Sequence, residues 1–415
     1  MTISDRAREL VWSAERSLGG VYQRADAIEM VNQQRVLEAF WRERVSSRHF
    51  APTNGYGYDD IGRDTLDRVF AYALQAERAL VRPQFANGTH AIFTALAALV
   101  EPGDAILSIT GLPYDTLLEA IGVRGDATNS LKRLGVSFQS VDLLPNGSID
   151  LERMKSIDPT NVRVIFAQRS RGYAWRAAVS TSQFSEAFSL AKRLFPMAGI
   201  LVDNCYGEFV EAQEPTALGA DLIAGSLIKN PGGGLAPTGG YIAGKAELVE
   251  RAAFRLTVPG MGGEVGSYAG DYRPFFQGLF LAPHVTAQCV KSAALFARVF
   301  EELGLESMPR GDAVRSDIIQ AVRFESADSL VAFCRSIQKA APVDSFVSPE
   351  PWDMPGYEDP VVMAAGTFVQ GATTELSADG PIRAPFTAYV QGALTYAHAR
   401  IAAMLACDAL MESTN

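Results

Sequence analysis

Cysteine and histidine are scarce in this 415-residue chain, four of each. Cys205, Cys289, Cys334 and Cys407 lie far apart, and no pair has the spacing of metal ligands. They are expected as reduced, mostly buried thiols, Cys205 being the one near a candidate site. Basic charge is also short. Lys and Arg number 37 against 47 Asp and Glu, a net charge of −10, which argues against a nucleic-acid surface. No apolar run reaches the ~18 residues of a membrane-spanning helix. The opening MTISDRARELVWSAERS is too polar for the apolar region of a signal peptide. These absences lead us to expect a cytoplasmic protein with neither nucleic-acid nor membrane partners. Core material is not lacking: 48% of residues are hydrophobic, enough for one large domain and a smaller one.

The chain is organised around Asp221–Ala243, DLIAGSLIKNPGGGLAPTGGYIA. One lysine, Lys229, stands between two apolar strands and is followed by a glycine-rich loop. Burial disfavours the charged ammonium and is expected to lower its pKa, giving a nucleophilic amine suited to a Schiff base. The alternative is a surface lysine on a glycine-rich hairpin. Upstream, ILVDNCYGEF ends an apolar strand in Asp203, a carboxylate that is costly to bury unless it meets a cation. A Schiff-base lysine and an acid that pairs with a pyridinium nitrogen are the working pair of pyridoxal phosphate chemistry. Earlier, Asn87-Gly88-Thr89 opens an apolar helix. Such a start is either an ordinary N-cap or, through its free amides, a phosphate seat.

SLIKNPGGGLAPTGGYIAG, with VDNCYGEF before it, resembles the methionine gamma-lyase/aluminium-resistance family of fold-type-I enzymes dependent on pyridoxal 5'-phosphate, relatives of the cystathionine lyases. The likeness runs from NGYGYDDIGRD at 54–64 to ELSADGPIRAP at 375–385. It implies roles residue by residue. Gly88, Thr89 and the Ser226 hydroxyl bind the cofactor phosphate. Tyr114 stacks on the pyridine ring and moves a proton toward the leaving group, its alternative being a half-buried loop tyrosine. Asp203 holds the ring nitrogen and Lys229 is the catalytic amine. Tyr56, ahead of Tyr58 and Arg63, reaches the phosphate of a neighbouring subunit. Arg383, in the stiff Gly-Pro-Ile-Arg-Ala-Pro, binds the substrate carboxylate; its alternative is an ion pair with Asp379. Arg169 and Arg171, in QRSRGYAWR, are weaker candidates for an anion or substrate, or members of a salt-bridged loop. The sequence departs from the family's usual strings at Asn87, Leu112 and Ala393, and Leu112, beside Tyr114, bears on substrate choice.

Strands and helices alternate through the first two thirds of the chain. VSFQSVDL (136–143), RVIFAQ (163–168) and GILVDN read as strands, and STSQFSEAFSLAKRLF (180–195) as a helix. This order predicts an α/β fold, and the resemblance makes it a fold-type-I, transferase-like one. We expect a mostly parallel seven-stranded sheet with helices on both faces, a smaller α+β C-terminal domain and an N-terminal helical arm. The boundaries are 1–55 for the arm, 56–284 for the large domain and 285–415 for the small one. Expected within these are a helix at 64–80, irregular chain over 245–284, a long helix at 285–304, a strand in PVDSFVS and a final helix over 387–411.

The expected activity is β- or γ-elimination on a small-molecule amino acid, with a C–S bond of a methionine- or cystathionine-like substrate broken. A halide or other non-thiol leaving group, giving an unsaturated amino acid, is a second expectation. A stress-tolerance protein that binds the cofactor with little turnover is a third. A homodimer or homotetramer, with sites completed across subunits, is expected. No metal is called for.

Overall fold

The computed structural model describes residues 3–354 and 359–413. Helices α1 (Asp5–Ser17) and α2 (Gly19–Arg42) form the N-terminal arm. Then follow α3 (Ile61–Ala73), β1 (Arg78–Arg82), α4 (Gly88–Leu99), β2 (Ala105–Ser108), α5 (Asp115–Ile121), β3 (Ser137–Ser140) and α6 (Leu151–Met154). Next come β4 (Val162–Gln168), α7 (Thr181–Leu194), β5 (Gly199–Asp203), β6 (Leu222–Ser226), β7 (Gly240–Gly244) and α8 (Ala246–Leu256). The remainder comprises α9 (Arg273–Glu302), β8 (Ser307–Met308), β9 (Ile319–Arg323), α10 (Ala327–Ala340), β10 (Val361–Ala364), β11 (Ser377–Pro381), β12 (Thr387–Gln391) and α11 (Tyr396–Ser413).

The first seven strands form one sheet in the order β1-β7-β6-β5-β4-β2-β3. It is parallel from β6 to β3, and β7 runs antiparallel to both β6 and β1. The central strands are continuous apolar runs because both faces are covered. Alternation decides which face each side chain meets. Ile165 joins Phe184, Phe188 and Phe275 on one side, whereas Val164 and Phe166 join Ile92, Leu96 and Val249 on the other. Helix α4 begins where it does because the Asn87 side chain accepts the His90 amide. Helix α7 begins in a capping box of Ser180 and Gln183.

A second, antiparallel sheet has the order β10-β11-β12-β9-β8. Its core gathers Leu330 and Phe333 of α10, Ala402 and Ala406 of α11, and Val11 of α1. Helix α9 belongs to both cores. Phe275 and Leu279 pack under the first sheet, and Phe296 and Phe300 pack on the second.

Five details differ from the sequence reading. The expected helix at 64–80 stops at Ala73, and Arg78–Arg82 forms the edge strand β1. The long helix begins at Arg273, twelve residues before the expected 285, with Pro283 inside it. The irregular stretch from 245 holds the regular helix α8, whose Val249, Ala252 and Ala253 are buried against the first sheet. PVDSFVS forms no strand; Phe346 there is exposed and has no sheet partner. The expected final helix over 387–411 is interrupted. Residues 387–391 pair with β9 and β11 instead, because Thr-Ala-Tyr-Val-Gln is buried on both sides.

Candidate active site

The carboxyl ends of β4, β5 and β6 and the N-terminus of α4 converge on one cavity of about 700 Å³. This is where open α/β sheets bind ligands. Gly88 is the first residue of α4 and Ser226 the last of β6. The first amides of a helix have no partner within it. Asn87 takes that of His90, so Gly88 and Thr89 face the cavity at the positive end of the helix dipole. A Cβ on Gly88 would stand 3.1 Å from the Ser226 Cβ and 3.5 Å from Cys205 Sγ. The floor is thus shaped for backbone amides and one hydroxyl to meet an anion.

Asp203 ends β5 and is buried, accepting the Cys205 amide on Oδ1 at 3.1 Å. Burial raises its carboxyl pKa, and Lys229 works against that rise. Lys229 follows β6 in a turn that β6 and β7 hold from both sides. Its Nζ lies 3.8 Å from the centre of the Tyr206 ring, a cation–π contact. Burial acts to lower the pKa of this amine, as the sequence reading expected. The surrounding Cys205, Tyr206, Asp203 and Tyr114 outweigh it, and the pKa sits above the usual lysine range. The direction is therefore opposite to the expected one: the coulombic influence of the surrounding groups, among which Asp203 is the carboxylate, outweighs burial.

Tyr114 caps α5. Its amide donates to Gln168 Oε1 at 2.9 Å and its hydroxyl to Thr89 Oγ1 at 3.0 Å. Burial raises its phenol well above the usual range. Arg383, from the turn after β11, reaches the same cavity from the second sheet. Its side chain is 53% exposed and pairs with Asp359 at 3.0 Å. The alternative partner read from sequence, Asp379, lies inside β11, and Arg383 pairs with Asp359 instead.

Of the expected site residues, Gly88, Thr89, Tyr114, Asp203, Ser226, Lys229 and Arg383 all border the one cavity. Tyr56 does not. It is 66% exposed and stacked on Tyr58, in a loop tied down where the Gly266 amide donates to the Tyr56 carbonyl. Arg63 is buried and bonded to Asp64 and to the Gly57 carbonyl. Arg169 lies behind the site, fully buried on Asn204 and Glu211 and 3.6 Å from Glu214. Arg171 does border the cavity, its guanidinium bonded to the Met308 carbonyl near Asp317. Sequence reasoning passed over Gln168, Tyr206 and Tyr389, which also line it. The signal for the first two was present, since each sits at or just after the end of a parallel strand. Tyr389 gave none, because only tertiary packing brings β12 to the cavity.

Among the described residues no group of histidine, cysteine and carboxylate side chains is placed to hold a metal, and no helix is long and apolar enough to cross a membrane. All four cysteines are free and buried.

A phosphate seat, a buried carboxylate and an amine opening on one cavity with an aromatic wall suit a phosphorylated pyridine aldehyde. The comparisons agree with that fit. The methionine gamma-lyase family model matches residues 7–411. The chain is 48% identical over 413 residues to the protein YnbB of Bacillus subtilis, covering 99% of this chain and 98% of that one. A structure described as a carbon–sulfur lyase involved in aluminium resistance, from Clostridium novyi NT, superposes with a TM-score of 0.94 at 47% identity, covering 98% of this chain and 96% of that one. The pyridoxal-5'-phosphate-dependent protein YhfS of Escherichia coli shares the fold, with a TM-score of 0.62 at 18% identity, covering 94% and 96%.

Proposed function

The chain belongs to the methionine gamma-lyase family, with pyridoxal 5'-phosphate as its cofactor, and from this we propose that it eliminates a sulfur leaving group from the β- or γ-carbon of an amino acid. The observation that carries this reading is the meeting of Lys229, Asp203 and the Gly88–Ser226 seat in one cavity.

When bound, the cofactor supplies an electron sink that makes the substrate's Cα–H acidic. The chain's residues do the rest. The amides of Gly88 and Thr89 and the Ser226 hydroxyl hold the phosphate. Asp203, a buried carboxylate, would hold a proton on the ring nitrogen. Tyr114, anchored through Thr89 and Gln168, would stack on the ring. The Lys229 amine would hold the cofactor covalently and would be the base for the Cα proton. Arg383 exchanges Asp359 for the substrate carboxylate, a bidentate pairing its planar guanidinium suits. Tyr56, exposed with Tyr58, reaches the phosphate of a second copy in a homodimer or homotetramer.

The test is an absorption spectrum of purified protein supplied with pyridoxal phosphate, compared with Lys229→Ala, followed by product analysis. The reading expects a visible band that the variant lacks, and a 2-keto acid, ammonia and a thiol from a thioether amino acid. Cofactor binding without any thiol release from a panel of such substrates would refute it.

A further inference from the structure

The loop between β4 and α7 is held in place by the second sheet. Arg171 donates to the Met308 carbonyl of β8. The Tyr389 hydroxyl of β12 donates to the Tyr173 carbonyl at 2.6 Å, and the two rings stack with centres 4.9 Å apart. The Arg323 guanidinium of β9 lies 3.9 Å from the centre of the Trp175 ring. These contacts fix the loop before any ligand arrives, so a side chain that it presents to the cavity is already positioned.

Arg171, Arg176 and Arg383 border the cavity. Arg171 has Asp317 3.9 Å away, and Arg383 has Asp359 at 3.0 Å. Arg176 differs from both. Among the described residues it pairs with no acid, and its bonds go from Nη1 to the Ala177 carbonyl at 3.0 Å and from Nη2 to the Ser170 carbonyl at 2.8 Å. A guanidinium carries five N–H donors, so donors remain for a ligand. Burial pulls its pKa down to about 10, Asp317 acting the other way, and it is still a cation at neutral pH. A half-buried cation bonded only to carbonyls is short of a negative partner.

Hydrogen bonds locate this cation within the cavity. The Ser170 carbonyl that accepts Arg176 also accepts Gln168 Nε2 at 3.3 Å, and Gln168 Oε1 accepts the Tyr114 amide at 2.9 Å. Arg176 thus stands on the side of the tyrosine expected to serve the leaving group, whereas Arg383 reaches in from the second sheet. Two acids border the cavity beside the Tyr114 loop. Asp115 is bonded to Arg124 at 2.8 Å and Asp142 is exposed, so neither is committed to Arg176.

We propose that Arg176 binds a second carboxylate, carried on the sulfur side of the substrate, so that the preferred substrate is a thioether amino acid whose leaving thiol bears an acid. The planar fork of a guanidinium takes a carboxylate through two parallel bonds. The assignment rests on the carbon–sulfur lyase reading and names the class of thioether within it.

The test gives the holoenzyme two thioethers of homocysteine, and the same two of cysteine, that differ only at the end of the sulfur substituent. One is the S-(2-carboxyethyl) compound and the other its uncharged amide. We expect wild type to show a KM for the carboxylate ~10- to 100-fold below that for the amide, as charged hydrogen bonds imply. Arg176→Gln should bring this ratio to within about threefold of one. A wild-type ratio near one overturns the proposal with no variant needed. A ratio that survives in Arg176→Gln, whatever the rates, overturns it too, because the acid would then be read by another cation. Where Arg176→Gln does not fold, Arg176→Lys, which keeps the charge and loses the fork, should still lower the ratio severalfold, and an unchanged ratio counts as failure. Absence of thiol from both compounds would instead strike the lyase reading. Calorimetric titration of the holoenzyme with the same two compounds then gives the ratio as Kd values, and a ratio near one there removes the second carboxylate site.

Discussion

Gly88 and Ser226 face each other across the cavity floor, so closely that a methyl group on Gly88 would stand 3.1 Å from the Ser226 Cβ. That separation leaves an ångström-scale cradle of amides and hydroxyl that a side chain at position 88 would invade. Gly88→Ala should fold, since this glycine lies in ordinary helical backbone. Overpacking at ~1–3 kcal/mol predicts pyridoxal phosphate binding weakened by roughly tenfold or more. Equilibrium dialysis of wild type and variant measures this, and unchanged affinity would mean that the phosphate sits elsewhere.

Arg383 already holds Asp359, so the proposed binding of a substrate carboxylate calls for an exchange of partners. Arg383→Ala should raise KM for the amino acid ~10- to 100-fold, as loss of a charged hydrogen bond of ~1.5–3 kcal/mol implies, with little loss of cofactor. Asp359→Ala should lower KM, because the guanidinium no longer has to be freed. A fall in kcat alone in Arg383→Ala would contradict this role.

Arg169 gives the opposite expectation. It is fully buried against Glu211 and Glu214 and lies outside the cavity lining. Arg169→Met removes the cation and leaves the acids uncompensated, at ~3–5 kcal/mol. Thermal unfolding should shift down by several degrees while KM stays unchanged in the folded fraction.

Glu208 lies under β6, accepting the Tyr241 hydroxyl at 2.7 Å with its other oxygen unpaired. Burial raises its carboxyl from 4.5 to about 8. The folded chain therefore keeps a proton that the unfolded chain has lost between these values. Its contribution to stability is fully present below pH ~4.5, declines as pH rises, and is exhausted above about 8. Glu208→Gln keeps the hydrogen bond and cannot ionise. Denaturant titrations from pH 5 to 8 should show a smaller decline in stability for the variant than for wild type, and parallel curves would count against the buried proton.

The central strands and the site they carry were readable because both rest on local signals. Apolar runs ending in Asp203 and Ser226 mark buried parallel strands, and Asn87-Gly88-Thr89 marks a capped helix. Edge strand β1 was hidden because Arg78–Arg82 continues a helical-looking run, and only pairing with β7 makes it extended. β12 was hidden for the same reason, with β9 and β11 supplying its partners. The Lys229 titration was misread because burial can be inferred from one stretch. The neighbours that work against burial come from other elements: Cys205, Tyr206 and Asp203 at the end of β5, and Tyr114 at the start of α5.

Helix α9 works as an axle between the two halves of the cavity. One end is fixed under the strands that present Asp203 and Lys229, and the other under the sheet that presents Asp379 and Arg383. Proline lacks the amide that would bond back one turn, so the helical ladder loses a rung at Pro283. The length and bend of α9 around Pro283 therefore set how far the wall carrying Arg383 stands from the floor carrying Gly88 and Lys229.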